Sequence, residues 1–353
     1  MTLSDALSYI FRHIRLPRQT VRSISVTMTA CLLGAAIATP YAHALAPENY
    51  AAESVLASGK WAKVNVETTG MQLITNAQLK NLGFNDPDKV RVYGYGGAIL
   101  PETLNSDNPD DLPPVPSVRT AKGIVFFGTG TERWEKNRSG AMTYTHTSNP
   151  YSDESRYFIS DRDESAFSPE AADASPKGGD AVTSFTCRLL HEKDMEAAGN
   201  YGRLLLGEDF RVQSTKTFSF PLPDNIGEDA RFKTRFGSKI TSGQGSLQFT
   251  ANGTELPAAS SDVITNITDD FIQLTTIQKD VKDAGNKLDL AIKFACSGAL
   301  FKARLDFIEV EYERALKLSD GELYFYADIK TPSDFTLEGC SEETVIKSEA
   351  KRS

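Results

Sequence analysis

Beyond about residue 45, apolar and polar residues alternate with a period of two along almost the whole chain, and sustained helical periodicity is nearly absent. Successive side chains of an extended strand point to opposite faces, so this pattern predicts a mainly β protein. Lys60 to Glu67 puts Ala62, Val64 and Val66 on one side, and Val90 to Tyr93, Ile124 to Phe127 and Tyr157 to Ser160 are short strands bounded by Gly, Pro, Asn and Asp. One short helix interrupts them. Thr75 or Asn76 can cap Ala77 to Leu82, and Gly83 can end that helix in a left-handed conformation. Residues 45–165 therefore read as an irregular β-rich N-terminal domain.

Residues 162–180, RDESAFSPEAADASPKGGD, lose the pattern and are dense in Asp, Ser, Pro and Gly, which places a linker at 166–180. The strands then lengthen. Phe218, Phe220 and Leu222 share a face, as do Leu247 and Phe249, and Phe232, Thr234 and Phe236 lie opposite Arg231, Lys233 and Arg235. One apolar and one polar face predicts an antiparallel sheet with one solvated side. In 303–312 the parity changes, from Ala303, Leu305 and Phe307 to Ile308, Val310 and Tyr312, which predicts a bulge or bend near Phe307–Ile308. Turn spacing predicts an antiparallel β-sandwich or jelly roll over 181–317, with Asn252-Gly253 as a two-residue hairpin turn. Glu322 to Asp328, with Leu323 and Phe325 inward, begins further strands over 318–346, and 347–353 is a polar tail.

Charge removes one class of function. The formal net charge of −9 and the lack of a Lys/Arg cluster after the leader argue against a nucleic-acid partner. The basic residues that do gather, His13, Arg15, Arg18 and Arg22, precede an apolar run from Ile24 to Ala38 and the small-residue site Ala42-His43-Ala44. That is the order of a secretory signal, assigned to 1–44. The run is short for a bilayer span, and no transmembrane segment is expected after its removal.

Cleavage there would leave Cys187, Cys296 and Cys340, an odd number, so not all can pair within one chain. Burial as small apolar residues is favoured: Cys296 continues the stripe Leu288, Leu290, Ile292 and Phe294, and Cys187 sits beside Phe185 and Leu189. A peptidase dyad needs a thiolate activated by an imidazole. His146 and His191 are the candidates, and Cys187 and His191, four apart on one strand, stand too far apart to bond. His191 reads as a strand-end histidine bonded to a loop. No catalytic or cofactor-binding residue is assigned. Tyr93-Gly94-Tyr95-Gly96-Gly97 lacks the following helix of a phosphate loop and reads as a turn. Acidic clusters at Asp107, Asp110 and Asp111, at Asp161, Asp163 and Glu164, and at Asp269 and Asp270 leave calcium open, with solvated loops favoured. Trp61, Trp134, Tyr95, Tyr144 and Tyr324 are scattered along the chain.

A resemblance adds to this reading. LLHEKDMEAAGNYGRLLLGEDF (189–210), SVLASGKWAKVNVETTGMQLITNAQLKNLGF (54–84), VRVYGYGG (90–97), IVFFGTGTERW (124–134), NPYSDESRYFIS (149–160), FTANGTELP (249–257) and ARLDFIEVEYER (303–314) resemble, in order, the N-terminal non-catalytic region of the PorU sortases. These are gingipain-type cysteine peptidases of the type IX secretion system in Bacteroidetes cell envelopes. The resemblance implies an exported chain in the periplasm, outer membrane or cell surface, truncated before the peptidase domain that carries the family's catalytic His and Cys. Its implied partners are that domain, from the same or a split gene, and other type IX secretion components. The alternative is an independent exported β-sandwich module that binds glycan or protein.

Overall fold

The computed structural model describes residues 50–100, 102, 110–137, 142–162, 178–199, 202–264, 272–319, 321–326 and 333–341. The leader 1–44, most of the 166–180 linker and the 347–353 tail lie outside them. Contacts divide the chain into Met1–Ala52 with Pro101–Asn108, and Glu53–Leu100 with Pro109–Ser353. Every element named below lies in the second unit.

Nine strands build its first part: β1 Trp61–Val66, β2 Gly70–Thr75, β3 Arg91–Tyr93, β4 Pro114–Val115, β5 Ser117–Thr120, β6 Gly123–Gly128, β7 Glu132–Lys136, β8 Tyr144–Ser148 and β9 Ser155–Ser160. They form a sheet of order β1-β9-β3-β4, a sheet β2-β6-β5 and the hairpin β7-β8, all antiparallel. The inward residues of the two sheets, among them Val66, Ile74, Val92, Ile124, Phe126 and Ile159, share one apolar core. The predicted helix is present as α1, Asn76–Asn81. Thr75 accepts from the Gln78 N–H while the Gln78 side chain accepts from the Thr75 N–H, a reciprocal capping box, and Gly83 follows at φ 85°. Leu79 is the helix's buried contact with the core.

The remaining strands are β10 Asp180–Val182, β11 Ser184–Glu192, β12 Glu196–Ala197, β13 Leu205–Leu206, β14 Thr215–Pro221, β15 Asn225–Ile240, β16 Gly245–Ala251, β17 Thr254–Ser261, β18 Gln273–Val281, β19 Lys287–Cys296, β20 Leu300–Ala315 and β21 Ser333–Phe335. Two four-stranded antiparallel sheets, β11-β20-β15-β18 and β14-β19-β16-β17, share the chain's largest core, including Phe218, Phe232, Phe236, Leu247, Phe249, Leu290 and Val310. This is the predicted sandwich. Its alternating stripes bury as expected, and Asn252 and Gly253, at φ 47° and 84°, turn β16 into β17.

Three expectations change. The bulge of β20 is at Asp306: Arg235 pairs with Phe307 and Phe236 with Leu305, so Asp306 is the extra residue, and Phe307 joins the outer face with Glu309 and Glu311. Residues 322–326 are not a strand. Leu323 and Phe325 are less exposed than their neighbours, as expected, but the segment crosses other elements as a strap held by side chains: Glu322 Oε1 accepts from the Met71 N–H (2.7 Å), and Phe325 packs 5.6 Å from both Phe185 and Phe335. Finally, the Arg231, Lys233 and Arg235 face is only partly solvated: β7-β8 covers Lys233, which donates to the Thr145 hydroxyl, while Arg231 and Arg235 remain partly exposed. Among the described residues no helix is long and apolar enough to cross a membrane.

Thr75→Ala removes the acceptor from the helix cap and is expected to lower stability by about 1 kcal/mol, read as a reduced urea midpoint at unchanged slope.

Candidate functional site

The site grows from one stretch of sequence, Ile308-Glu309-Val310-Glu311-Tyr312 on β20. Its period of two sends Ile308, Val310 and Tyr312 into the sandwich core and Glu309 and Glu311 to the other side. Neighbouring β15 does the same with Phe232 and Phe236 inward and Arg231, Lys233 and Arg235 outward, in a register that sets Lys233 against Glu309 and Arg231 against Glu311. β11 adds Arg188, opposite Glu311, and Glu192, opposite Phe307.

The hairpin β7-β8 meets this charged face with the edge of β8. A strand edge presents unpaired N–H groups. Here carboxylates receive them. Glu311 accepts from the N–H groups of Thr143 (2.7 Å) and Tyr144 (2.6 Å), and Glu309 accepts from the N–H of His146 (2.9 Å). The His146 ring lies between two acids, its Nδ1 at 2.6 Å from Glu309 and its Nε2 at 3.3 Å from Glu192. Both carboxylates are acceptors, so both ring nitrogens donate and the imidazole is charged. Lys233 Nζ also reaches Glu309 at 2.5 Å, Ser148 bonds Glu192, and Arg235 pairs with Asp306. Phe307 stands edge-on to the His146 ring, centroids 4.6 Å apart.

Exposure decides what this arrangement costs. Glu309, Asp306 and His146 side chains are 0%, 1% and 4% exposed. Burial opposes the charged imidazole, yet its hydrogen bonds to Glu192 and Glu309, and their charges, raise its pKa from the ordinary 6.5 to about 9. Burial likewise works against ionised Glu309 and Glu192, and the hydrogen bonds from His146 hold both below the usual carboxylate value. Asp306 and Glu311 go the other way, because burial outweighs their partners. A cleft of about 300 Å3 opens beside the seam, lined by His146, Glu192, Arg203, Lys233 and Asp306 among others.

The candidates from sequence fall elsewhere. His191 hydrogen-bonds Glu208 in the following loop at 3.0 Å, as expected. Cys187 and Cys296 are half-buried against the sandwich core, whereas Cys340 is exposed, contrary to the expected burial; all three are free thiols. The polar contacts of both described histidines are to carboxylates. Asp111 binds the Ser54 hydroxyl and the N–H groups of Val55 and Leu112. Asp107, Asp163, Glu164, Asp269 and Asp270 lie outside the described residues, among which no group of three His, Cys, Asp or Glu side chains is placed to hold a metal. Gly94 to Gly97 form a turn packed on Tyr157, Thr129 and Ser155. The structure gathers aromatics that are scattered in sequence. Trp134, Tyr144 and Tyr326 surround the Arg188 guanidinium, and Tyr324 packs between Tyr326 and Phe127.

No protein-family model and no curated protein matches the chain. Among solved structures, that of dimeric latent PorU from Porphyromonas gingivalis matches with a TM-score of 0.69 and 27% identity, over 80% of this chain. The chain is a PorU-like N-terminal region. It spans 27% of the length of that PorU chain. A family 35 carbohydrate binding module from Clostridium thermocellum (TM-score 0.23, 9% identity, 35% of this chain and 90% of the module) and CBM35 from Cellvibrio japonicus Abf62 (0.24, 12%, 36% and 97%) are too slight a likeness to carry an argument.

His146→Asn is expected to destabilise the fold by about 3–5 kcal/mol, since it takes the bonded cation from half-buried Glu192 and leaves Glu309 with Lys233 alone. With a folded pKa of about 9 against 6.5, the contribution of His146 is complete below about 6.5 and disappears as pH rises through 9. That of Glu192 and Glu309 is complete above their ordinary 4.5 and is lost as pH falls below it. Urea midpoints measured from pH 3 to 10 should therefore form a plateau with a limb at each end, and the alkaline limb should vanish in His146→Asn.

Proposed function

We propose that the chain is a non-catalytic β scaffold, the part of a PorU-like sortase that supports its cysteine peptidase domain. The carrying observation is the match to PorU over 80% of the chain. The seam agrees with it. An active-site histidine paired with a thiol must exchange protons near neutrality, and His146 is held as a cation between Glu309 and Glu192 up to about pH 9. It serves to clamp a hairpin to a sheet. On this reading the full protein removes the C-terminal secretion signal of cargo and attaches the cargo to surface lipopolysaccharide, the chain is exported, and its partners are the peptidase domain and other type IX secretion components.

The alternative of a glycan-binding sandwich gains little from the open face of β14-β19-β16-β17. Its outward residues include Thr217, Ser219, Asp289, Lys293, Gln248 and Thr250, and none of its outward positions is aromatic. Sugar sites generally combine an aromatic or apolar wall with a few polar groups.

The test is to mix the purified protein with a separately expressed PorU-like peptidase domain and to follow mass by light scattering and cleavage of a cargo-tail peptide. A stoichiometric complex is expected, with no cleavage by this chain alone. Saturable glycan binding without any association with the peptidase domain, or thiol-dependent proteolysis by the chain alone, would contradict the proposal.

A further inference from the structure

On the charged face of the sandwich, three successive cations of β15 have acids: Arg231 meets Asp280, Lys233 meets Glu309 and Arg235 meets Asp306. Arg188 on β11 differs. Its cross-strand neighbour is Glu311, the natural partner by register, but both Glu311 oxygens are taken by the N–H groups of Thr143 and Tyr144. Among the described residues no carboxylate pairs with Arg188. Its Nη1 is buried without an acceptor among the described residues.

Three rings hold the guanidinium in place. Its carbon lies 3.8 Å from the Tyr326 ring centre, 4.6 Å from that of Tyr144 and 5.1 Å from that of Trp134. Aromatic faces favour a cation but accept none of its five N–H donors. The group cannot lose its proton to escape this, as a lysine or histidine would. What results is a planar fork packed among three rings, with no acceptor for its buried Nη1 among the described residues.

We propose that Arg188, Tyr326, Tyr144 and Trp134 form a recognition site for a carboxylate. The fork offers parallel N–H donors to both oxygens of a planar anion. Tyr326 is 44% exposed and belongs to the strap 321–326, so the mouth of the site lies at the surface. The carboxylate can come from an acidic side chain of a protein partner or from an acidic sugar. Both present the same two oxygens. This inference does not depend on the sortase reading.

The reporter is built in, since Trp134 is one of two tryptophans in the chain. In Trp61→Phe protein, Trp134 emission is followed while acetate is titrated at constant ionic strength against chloride. N-acetylaspartyl amide and glucuronate, the latter against glucose, then separate a protein source from a sugar source. A saturable change with acetate and with at least one of the two larger carboxylates is expected. Arg188→Gln should weaken it by about tenfold or more, and Arg188→Lys, which keeps the charge but loses the fork, should weaken it too. The far-ultraviolet circular dichroism spectrum of each variant shows that it has folded, and Arg188→Lys carries the test if Arg188→Gln has not. No saturable change with acetate, an equal change with chloride, or the same curve in the folded Arg188 variants would overturn the proposal.

Discussion

A carboxylate with no access to water must be met on every side by donors or positive charge, and Glu309 is such a group. Its answer is three groups from two strands: the Lys233 ammonium from β15, and the backbone N–H and the ring of His146 from β8. Without that answer the outer face of β20 would have to stay in water, and β7-β8 would have nothing to rest on. Three carboxylates, Glu192, Asp306 and Glu309, face three cationic groups, His146, Lys233 and Arg235.

This constraint explains why the two cores behave as parts of one compact unit. The first core packs its sheets around Val66, Ile124 and Ile159, the second around the sandwich phenylalanines, and each is complete by its own apolar stripes. Polar contacts join them alongside aromatic ones: carboxylates of one sheet cap the edge of a hairpin, Glu322 of the strap does the same for Met71 on β2, and Phe307 and Tyr324 pack on His146 and Phe127. Buried charge pairs of this kind add little net stability compared with apolar contact, but they fix register, because a slip by one residue leaves a charge unpaired.

Much of the fold is legible in the sequence, because period two and turn chemistry are local. The capping box at Thr75, the turn at Asn252-Gly253, and the stripes ending at Leu222, Phe236 and Phe294 all follow from neighbours in the chain. The seam is less so. His146 carries no local sign of its role; as a lone polar residue in YTHTS it looks like any edge-strand histidine. One signal was present. Glu309 and Glu311 on one strand and Arg231, Lys233 and Arg235 on another are complementary stripes, and such a pair suits a covered face better than a solvated one. The aromatic cage of Arg188 is illegible because its rings come from residues 134, 144 and 326, brought together only by tertiary folding. The strand expected to begin at Glu322 fails over 322–326 for a related reason. Alternation reports that alternate residues face inward, not that a neighbouring strand is there to pair.

The most direct measurement of the central claim is a double-mutant cycle between His146 and Glu309, with His146→Asn and Glu309→Gln singly and together, by urea unfolding at pH 7. If the two hold the hairpin to the sheet, their coupling energy should exceed about 1.5 kcal/mol. A coupling indistinguishable from zero, within about 0.5 kcal/mol, would mean that the two side chains act independently and that the seam is not what fixes the fold.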